Sequence, residues 1–171
     1  NALLLPGRAF YYPEFSKDIH YEAELVLKIC KNGKHIAEKF AWKYYQQITV
    51  GIDFTARDLQ QEQKKKGLPW EIAKAFDDSA VVGRFIDIPE GKNIQDYRFE
   101  LKQNDATVQR GFAGDMIHTV DSLVAYISTF FTLNTGDLIF TGTPAGVGPV
   151  AIGDTLEAYL EGDSVLKFSI K

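Results

Sequence analysis

Glu22 and Glu24 stand two positions apart in His20-Tyr21-Glu22-Ala23-Glu24-Leu25, a segment that otherwise has the pattern of a β-strand. Side chains at i and i+2 of a strand share one face, about 7 Å apart along the chain, so the two carboxylates are expected side by side. A Glu-x-Glu pair alone also suits a strand whose even face meets water. A third acid, Asp53, shifts that balance. It lies in an otherwise uncharged run, between Ile52 and Phe54, where a carboxylate costs free energy unless it is paired or metal-bound. A helix cap or an ion pair with Arg57 would also satisfy it. If the three acids meet, they form an all-oxygen site that suits Mg²⁺ or Mn²⁺, accommodates Ca²⁺, and does not favour a metal that prefers sulfur or imidazole.

Other residues carry chemistry that such a site would use. Arg57 and Gln60 lie three apart on an expected helix, so both can point toward the region of Asp53; an ordinary solvated face is the alternative. Lys74 sits among Ile72, Ala73, Ala75 and Phe76. Burial there would lower its pKa and suit it to proton transfer or to holding an anion, whereas a snorkelling surface lysine would do neither. His20 shares the expected face of Glu22 and Glu24 and is a candidate base, or else it packs against a neighbouring polar group. His35 and His118 are assigned no role. Gly142 to Gly148, GTPAGVG, is glycine-rich but lacks the lysine of a P-loop and the spacing of a dinucleotide fingerprint, which leaves a tight turn.

The elements that would position these residues are read from periodicity. Apolar residues at the odd positions from Ile19 to Ile29 predict one strand over 19–30. After an Asn32-Gly33 turn, helical spacing predicts a helix from Ile36 to Gln47. Ile48 to Phe54 is β-branched and apolar, hence a buried strand. Thr55, with Asp58 three residues on, predicts an N-cap for a helix from Ala56 to Lys66 that stops at Gly67. A short helical turn with Pro69 at its first position should follow. Two strands are expected around an Asn104-Asp105 turn, then a helix over 120–132. Three Gly-Asp pairs precede the strand-like LIFTG, TLEAYL and VLKFSI, which predicts successive antiparallel strands. The sum is a mixed, β-rich α+β fold with a few short helices and with sheets packed face to face or rolled, not a doubly wound nucleotide fold.

Bulk properties narrow the function classes. The 171 residues suit a single domain over 1–171. With 19 basic against 23 acidic residues the net charge is −4, and the one basic run, Lys64-Lys65-Lys66, ends a helix, so no nucleic-acid partner is expected. No apolar stretch approaches the roughly 18 residues that span a bilayer, so no membrane partner is expected. A single cysteine, Cys30, fits a reducing compartment, and a cytoplasmic location is expected. The chain opens at Asn1 and its one methionine is Met116, so a natural start is expected upstream of Asn1.

Four motifs in order, HYEAEL, GIDFTARDLQ, KKKGLPWEIAKAF and GDLIFTGTPAGVGP, resemble the fumarylacetoacetate hydrolase family, near its small acylpyruvase-like and isomerase-like members. The resemblance covers nearly the whole chain. It implies the β-roll or sandwich of that family's C-terminal domain, an Mg²⁺ or Mn²⁺ site, a small 2-oxo acid substrate and a homodimer. By motif, Glu22, Glu24 and Asp53 would be the metal ligands, while Arg57, Gln60, Lys74 and Thr143 would line the substrate pocket. A 2-oxo acid chelating the cation would let its enolate form when a bond at C3 breaks. The main expectation is therefore C–C hydrolysis of an acylpyruvate or fumarylacetoacetate type. The alternatives are an isomerase, tautomerase or decarboxylase of a 2-hydroxydienedioate or oxaloacetate, or a metal-binding protein that has lost catalysis. The family's "GRNY" segment, with its histidine and glutamate, has no counterpart before Glu22: either it lies upstream of Asn1 or the chain lacks that hydrolytic base, for which His20 is the candidate substitute.

Overall fold

The computed structural model describes residues 2–4 and 7–171. Its strands in chain order are β1 (Leu3–Leu4), β2 (Ile19–Tyr21), β3 (Ala23–Ile29), β4 (Tyr45–Asp53), β5 (Thr55–Ala56), β6 (Ala80–Val82), β7 (Ile86–Asp87), β8 (Arg98–Gln103), β9 (Ala106–Phe112), β10 (Leu138–Phe140), β11 (Gly148–Pro149), β12 (Thr155–Leu160) and β13 (Asp163–Ser169). The α-helices are short: α1 (Arg57–Lys66), α2 (Glu71–Lys74) and α3 (Val120–Phe130). The fold is mostly strand, as the periodicity predicts.

The described residues form three curled sheets. The largest runs β1-β6-β4-β3-β10, with β7 also on β4; a second runs β11-β2-β5; the third runs β13-β12-β8-β9. β12 and β13 pack against β4, and β8 against β3, so the third sheet closes over the first. Their shared interior holds Leu25, Leu27, Ile48, Val50, Ile52, Leu101, Leu156 and Leu160. These side chains leave water almost completely, at about 25 cal/mol per Å² of apolar surface removed.

The predicted strand over 19–30 is two strands. All six apolar odd positions, from Ile19 to Ile29, are buried, but β2 and β3 belong to different sheets and part at Glu22. β3 is buried on both faces, since Glu24 and Val26 are covered as well as the odd residues. A central strand covered on both sides loses the clean alternation of a half-solvated one.

Other expectations change in detail. The helix expected over 36–47 is a 3-10 helix over Glu38–Tyr44, because β4 already begins at Tyr45 and the segment is rich in aromatic residues with modest helix preference. α1 starts at Arg57 with no side-chain cap, and Thr55 points elsewhere. α2 begins at Glu71 after Trp70, which puts Pro69 outside the helix. α3 stops at Phe130, short of the predicted 132, and Phe131 is 66% exposed. Asn104 and Asp105 both take positive φ, 50° and 66°, and close the β8–β9 hairpin as expected. LIFTG is β10, which pairs with β3 instead of joining the run of β12 and β13, so those three strands are not successive neighbours.

Candidate active site

The site lies where β3 and β4 run antiparallel, Ala23 opposite Ile52 and Glu24 opposite Gly51. The Asp53 N–H donates to the Glu22 carbonyl (2.9 Å), so two segments thirty residues apart in the chain are locked in register by ladder hydrogen bonds. That register gathers the three acids: one carboxylate oxygen from each of Glu22, Glu24 and Asp53 lies within 4.8 Å of the others. The pairing thus achieves what the i, i+2 spacing alone leaves open.

Cations meet them from the helices. Arg57, at the start of α1, donates to Glu22 Oε1 through Nη2 (2.7 Å) and to Gln60 Oε1 through Nη1 (2.7 Å). Lys74, at the end of α2, donates to Glu22 Oε2 (2.8 Å) and Thr55 Oγ1 (2.7 Å) and pairs with Asp53 Oδ2 (2.5 Å). Asp53 is therefore Lys74's partner, and Arg57 takes Glu22. Thr55, expected as a helix cap, instead accepts from the ammonium.

The electrostatics follow from burial against pairing. Burial pushes the Glu22 carboxyl up, but hydrogen bonds and charge from Lys74 and Arg57 outweigh it, and the group sits below its ordinary value. Asp53 is raised, by burial first, with Lys74 opposing. Among the described residues no cation pairs with Glu24; burial pushes it up to about 7, against the Gly142 N–H that donates to Oε2 (2.7 Å). Lys74 goes the opposite way from the sequence expectation. Burial lowers it, yet Asp53 and Glu22 more than compensate and hold its pKa above the ordinary lysine value.

Thr143 stands beside the acids' backbone, its hydroxyl donating to the Ala23 carbonyl (2.8 Å). Gly142, which the sequence places only in a tight turn, reaches Glu24 with its main-chain N–H from a φ of 98°. Only a residue without Cβ takes that φ at no steric cost. A glycine just after an apolar strand was the available signal. His20 is different: its Nε2 pairs with Asp18 (2.9 Å), and no contact among the described residues joins it to the three acids. The sheet change at Glu22 is the reason, since shared-face spacing does not carry across a break between sheets.

The residues fit a divalent ion. Three carboxylates, all oxygen donors, face one ammonium and one guanidinium, and the acid without a cation is the one that burial pushes up to about 7. A hard dication supplies the missing positive charge.

The comparisons agree with this geometry. The family model described as fumarylacetoacetate (FAA) hydrolase, C-terminal, matches residues 1–171. A mitochondrial oxaloacetate tautomerase of Mus musculus is 38% identical over 165 residues, 96% of this chain and 75% of the relative. The fumarylpyruvate hydrolase of Pseudomonas aeruginosa, solved in complex with Mn²⁺ and pyruvate, has a TM-score of 0.89 at 36% identity, covering 95% of this chain and 70% of that one. The 2-hydroxyhepta-2,4-diene-1,7-dioate isomerase of Mycobacterium marinum has a TM-score of 0.87 at 34% identity, covering 99% and 65%. With the acid cluster in place and the family model matched from first residue to last, the chain belongs to the fumarylacetoacetate hydrolase family.

Proposed function

We propose that this chain is a divalent-metal-dependent enzyme of small 2-oxo acids, with Glu22, Glu24 and Asp53 holding Mg²⁺ or Mn²⁺, and that it hydrolyses a C–C bond of acylpyruvate type. The observation that carries this is the convergence of the three carboxylates within 4.8 Å. When bound, the cation supplies Lewis acidity to the negative charge that develops on the 2-oxo oxygen as a bond at C3 breaks. Arg57 holds Glu22 and the Gln60 carbonyl oxygen. With its side-chain oxygen taken by Arg57, Gln60 has its NH₂ as the end to donate to a substrate. Lys74, with its pKa raised and its three donors shared among Glu22, Asp53 and Thr55, is protonated at neutral pH. With Glu22 and Asp53 engaged by a metal, its N–H donors would be free to hold a substrate anion or to return a proton to C3; protonated, it is not the base that activates water.

The protonated lysine favours a second reading. Keto–enol isomerisation or decarboxylation of oxaloacetate or a 2-hydroxydienedioate needs no water-activating base, and His20, the candidate for that role, is tied to Asp18. The mouse relative's tautomerase activity and the mycobacterial relative's isomerase activity support it. A homodimer is supported by an apolar surface where the 3-10 helix over Glu38–Tyr44 meets α3, with Phe40, Trp42, Tyr126 and Phe130 exposed. The free state of Cys30 supports a reducing, cytoplasmic setting. No described helix is long and apolar enough to cross a membrane.

The test is to supply fumarylpyruvate, oxaloacetate and a 2-hydroxydienedioate with Mn²⁺, with Mg²⁺ and with excess EDTA. Release of pyruvate from the first, lost in EDTA, is the expected result; turnover of only the others selects isomerase or decarboxylase. Ion binding without any turnover leaves a metal-binding protein. Divalent-ion binding that survives both Glu22→Ala and Asp53→Ala overturns the site.

A further inference from the structure

β10 pairs with β3 only over Val26, Leu27 and Lys28. Toward Glu22 the outer edge of β3 is therefore uncovered. Because alternate residues of a strand direct their main-chain groups to opposite edges, Ala23, between the two glutamates, points its N–H and C=O away from β4 and into this gap. Buried main-chain groups need partners, and side chains supply them here. Gln109, on β9 of the other large sheet, accepts the Ala23 N–H at Oε1 (2.9 Å) and donates through Nε2 to Thr143 Oγ1 (2.9 Å) and to the Pro144 carbonyl (3.1 Å). Thr143 closes the ring by donating to the Ala23 carbonyl (2.8 Å).

We propose that Gln109 is a positioning residue of the acid site: through Ala23 it sets the placement of Glu22 and Glu24, and through Thr143 and Pro144 it holds the loop whose Gly142 N–H fixes Glu24. This rests on the proposed metal role of those acids. Among the described residues Gln109 makes no hydrogen bond with any of the three carboxylates, and it acts from a different sheet.

Three features make the contact specific. The Gln109 side chain is 2% exposed, so water does not replace its bonds. Its amide is committed in one orientation, since a flip would turn NH₂ toward the Ala23 N–H. The loop can lie on β9 because Gly146, at φ 102°, sits where a Cβ would come within 2.4 Å of the Val108 carbonyl oxygen. Thr143 is thereby changed in role as well. Its one hydroxyl hydrogen goes to Ala23, so toward a substrate it offers a lone pair and not a donor.

The experiment is titration of Mn²⁺ into the purified chain, with free ion followed by electron paramagnetic resonance, alongside thermal unfolding. Gln109→Met keeps length and volume but removes both ends of the clamp, and it should weaken Mn²⁺ binding roughly 10- to 100-fold. Gln109→Glu keeps the acceptor for Ala23 and loses both donated bonds, to Thr143 and to the Pro144 carbonyl, so its loss should lie at the low end of that range, roughly 10-fold. Ser128→Ala is the control: that buried hydroxyl on α3 accepts from the Ile36 N–H (2.8 Å) and donates to the Ala125 carbonyl (2.7 Å), neither of them part of the acid site or of the Gln109 ring. It should lower the melting temperature and leave Mn²⁺ affinity unchanged. Wild-type affinity in folded Gln109→Met overturns the positioning role and leaves the metal site standing. If Gln109→Met does not fold, wild-type affinity in Gln109→Glu overturns it equally. Failure of the unaltered chain to bind Mn²⁺ overturns the metal reading itself.

Discussion

Glu22 and Glu100 are matched in composition and opposed in setting. Each carboxylate faces two cations: Glu22 meets Arg57 and Lys74, and Glu100 meets Arg110 (3.2 Å) and Lys102 (3.8 Å). Each sits below its ordinary pKa. The causes differ. For Glu100 the largest is a hydrogen bond from the Thr107 hydroxyl, whereas for Glu22 it is burial, acting upward and overcome by its partners. Arg110 is 76% exposed and Arg57 only 19%. The lesson is that a list of ion pairs does not locate a site. What marks the acid cluster is that its charges have been taken out of water and depend on one another, which is costly unless the arrangement is used.

The strongest way to break the contrast is to remove the cation that joins two of the partly buried acids. Lys74→Met leaves Glu22 with Arg57 alone and Asp53 with no contacting cation. Urea unfolding in EDTA at pH 7 should show a loss of about 4 kcal/mol, the scale for orphaning a buried charge. Excess Mn²⁺ should restore much of it, because an ion that binds only the folded state stabilises by mass action. A loss that Mn²⁺ does not touch would argue that the three acids do not bind one ion.

Glu24 sharpens the comparison through pH. Its folded pKa is about 7 against an ordinary 4.5, raised chiefly by burial. The folded state thus holds this proton more tightly than the unfolded one. The resulting stabilisation is fully present below pH 4.5 and is lost as pH rises through about 7. In metal-free protein, the wild type should lose about 3 kcal/mol between pH 4.5 and pH 8 that Glu24→Gln retains. Unfolding curves across that range measure it, and parallel pH dependence in the two proteins would refute it. Mn²⁺ added near pH 6.5 should release protons from the wild type, since the ligand must ionise to bind.

These tests also separate what was legible in the sequence from what was not. Strand periodicity located the apolar odd positions from Ile19 to Ile29, all buried, because that pattern is local and dictated by the pleat. The gathering of Glu22, Glu24 and Asp53 was foreseen from residue type and motif. The hydrogen-bond scheme was not, because it depends on non-local register: Lys74 reaches Asp53 and Arg57 reaches Glu22 only once α1 and α2 have docked. The expected drop in the Lys74 pKa failed for the same reason, burial being visible in the flanking apolar residues but its two acidic partners not. The break at Glu22 escaped because both strands keep the same alternation across it, which also separates His20 from the acids. Gln109 carried no local signal at all, as its partners lie 86 and 34 positions away.

The smallest expected effect is on the exposed side of the comparison. Arg110→Ala removes one cation from Glu100 and leaves Lys102 and Thr107 in place. Glu100 keeps solvent to stabilise its charge, and the lost partner was itself mostly in water, so stability should change by about 0.5 kcal/mol or less. Whatever change appears should vanish in 1 M salt, where the screening length falls to about 3 Å. The Lys74→Met loss should largely persist there, because ions do not enter the space between buried groups. If both substitutions instead showed the same magnitude and the same salt dependence, burial would not be what distinguishes Glu22 from Glu100, and the case for a site built on desolvated charge would fall with it.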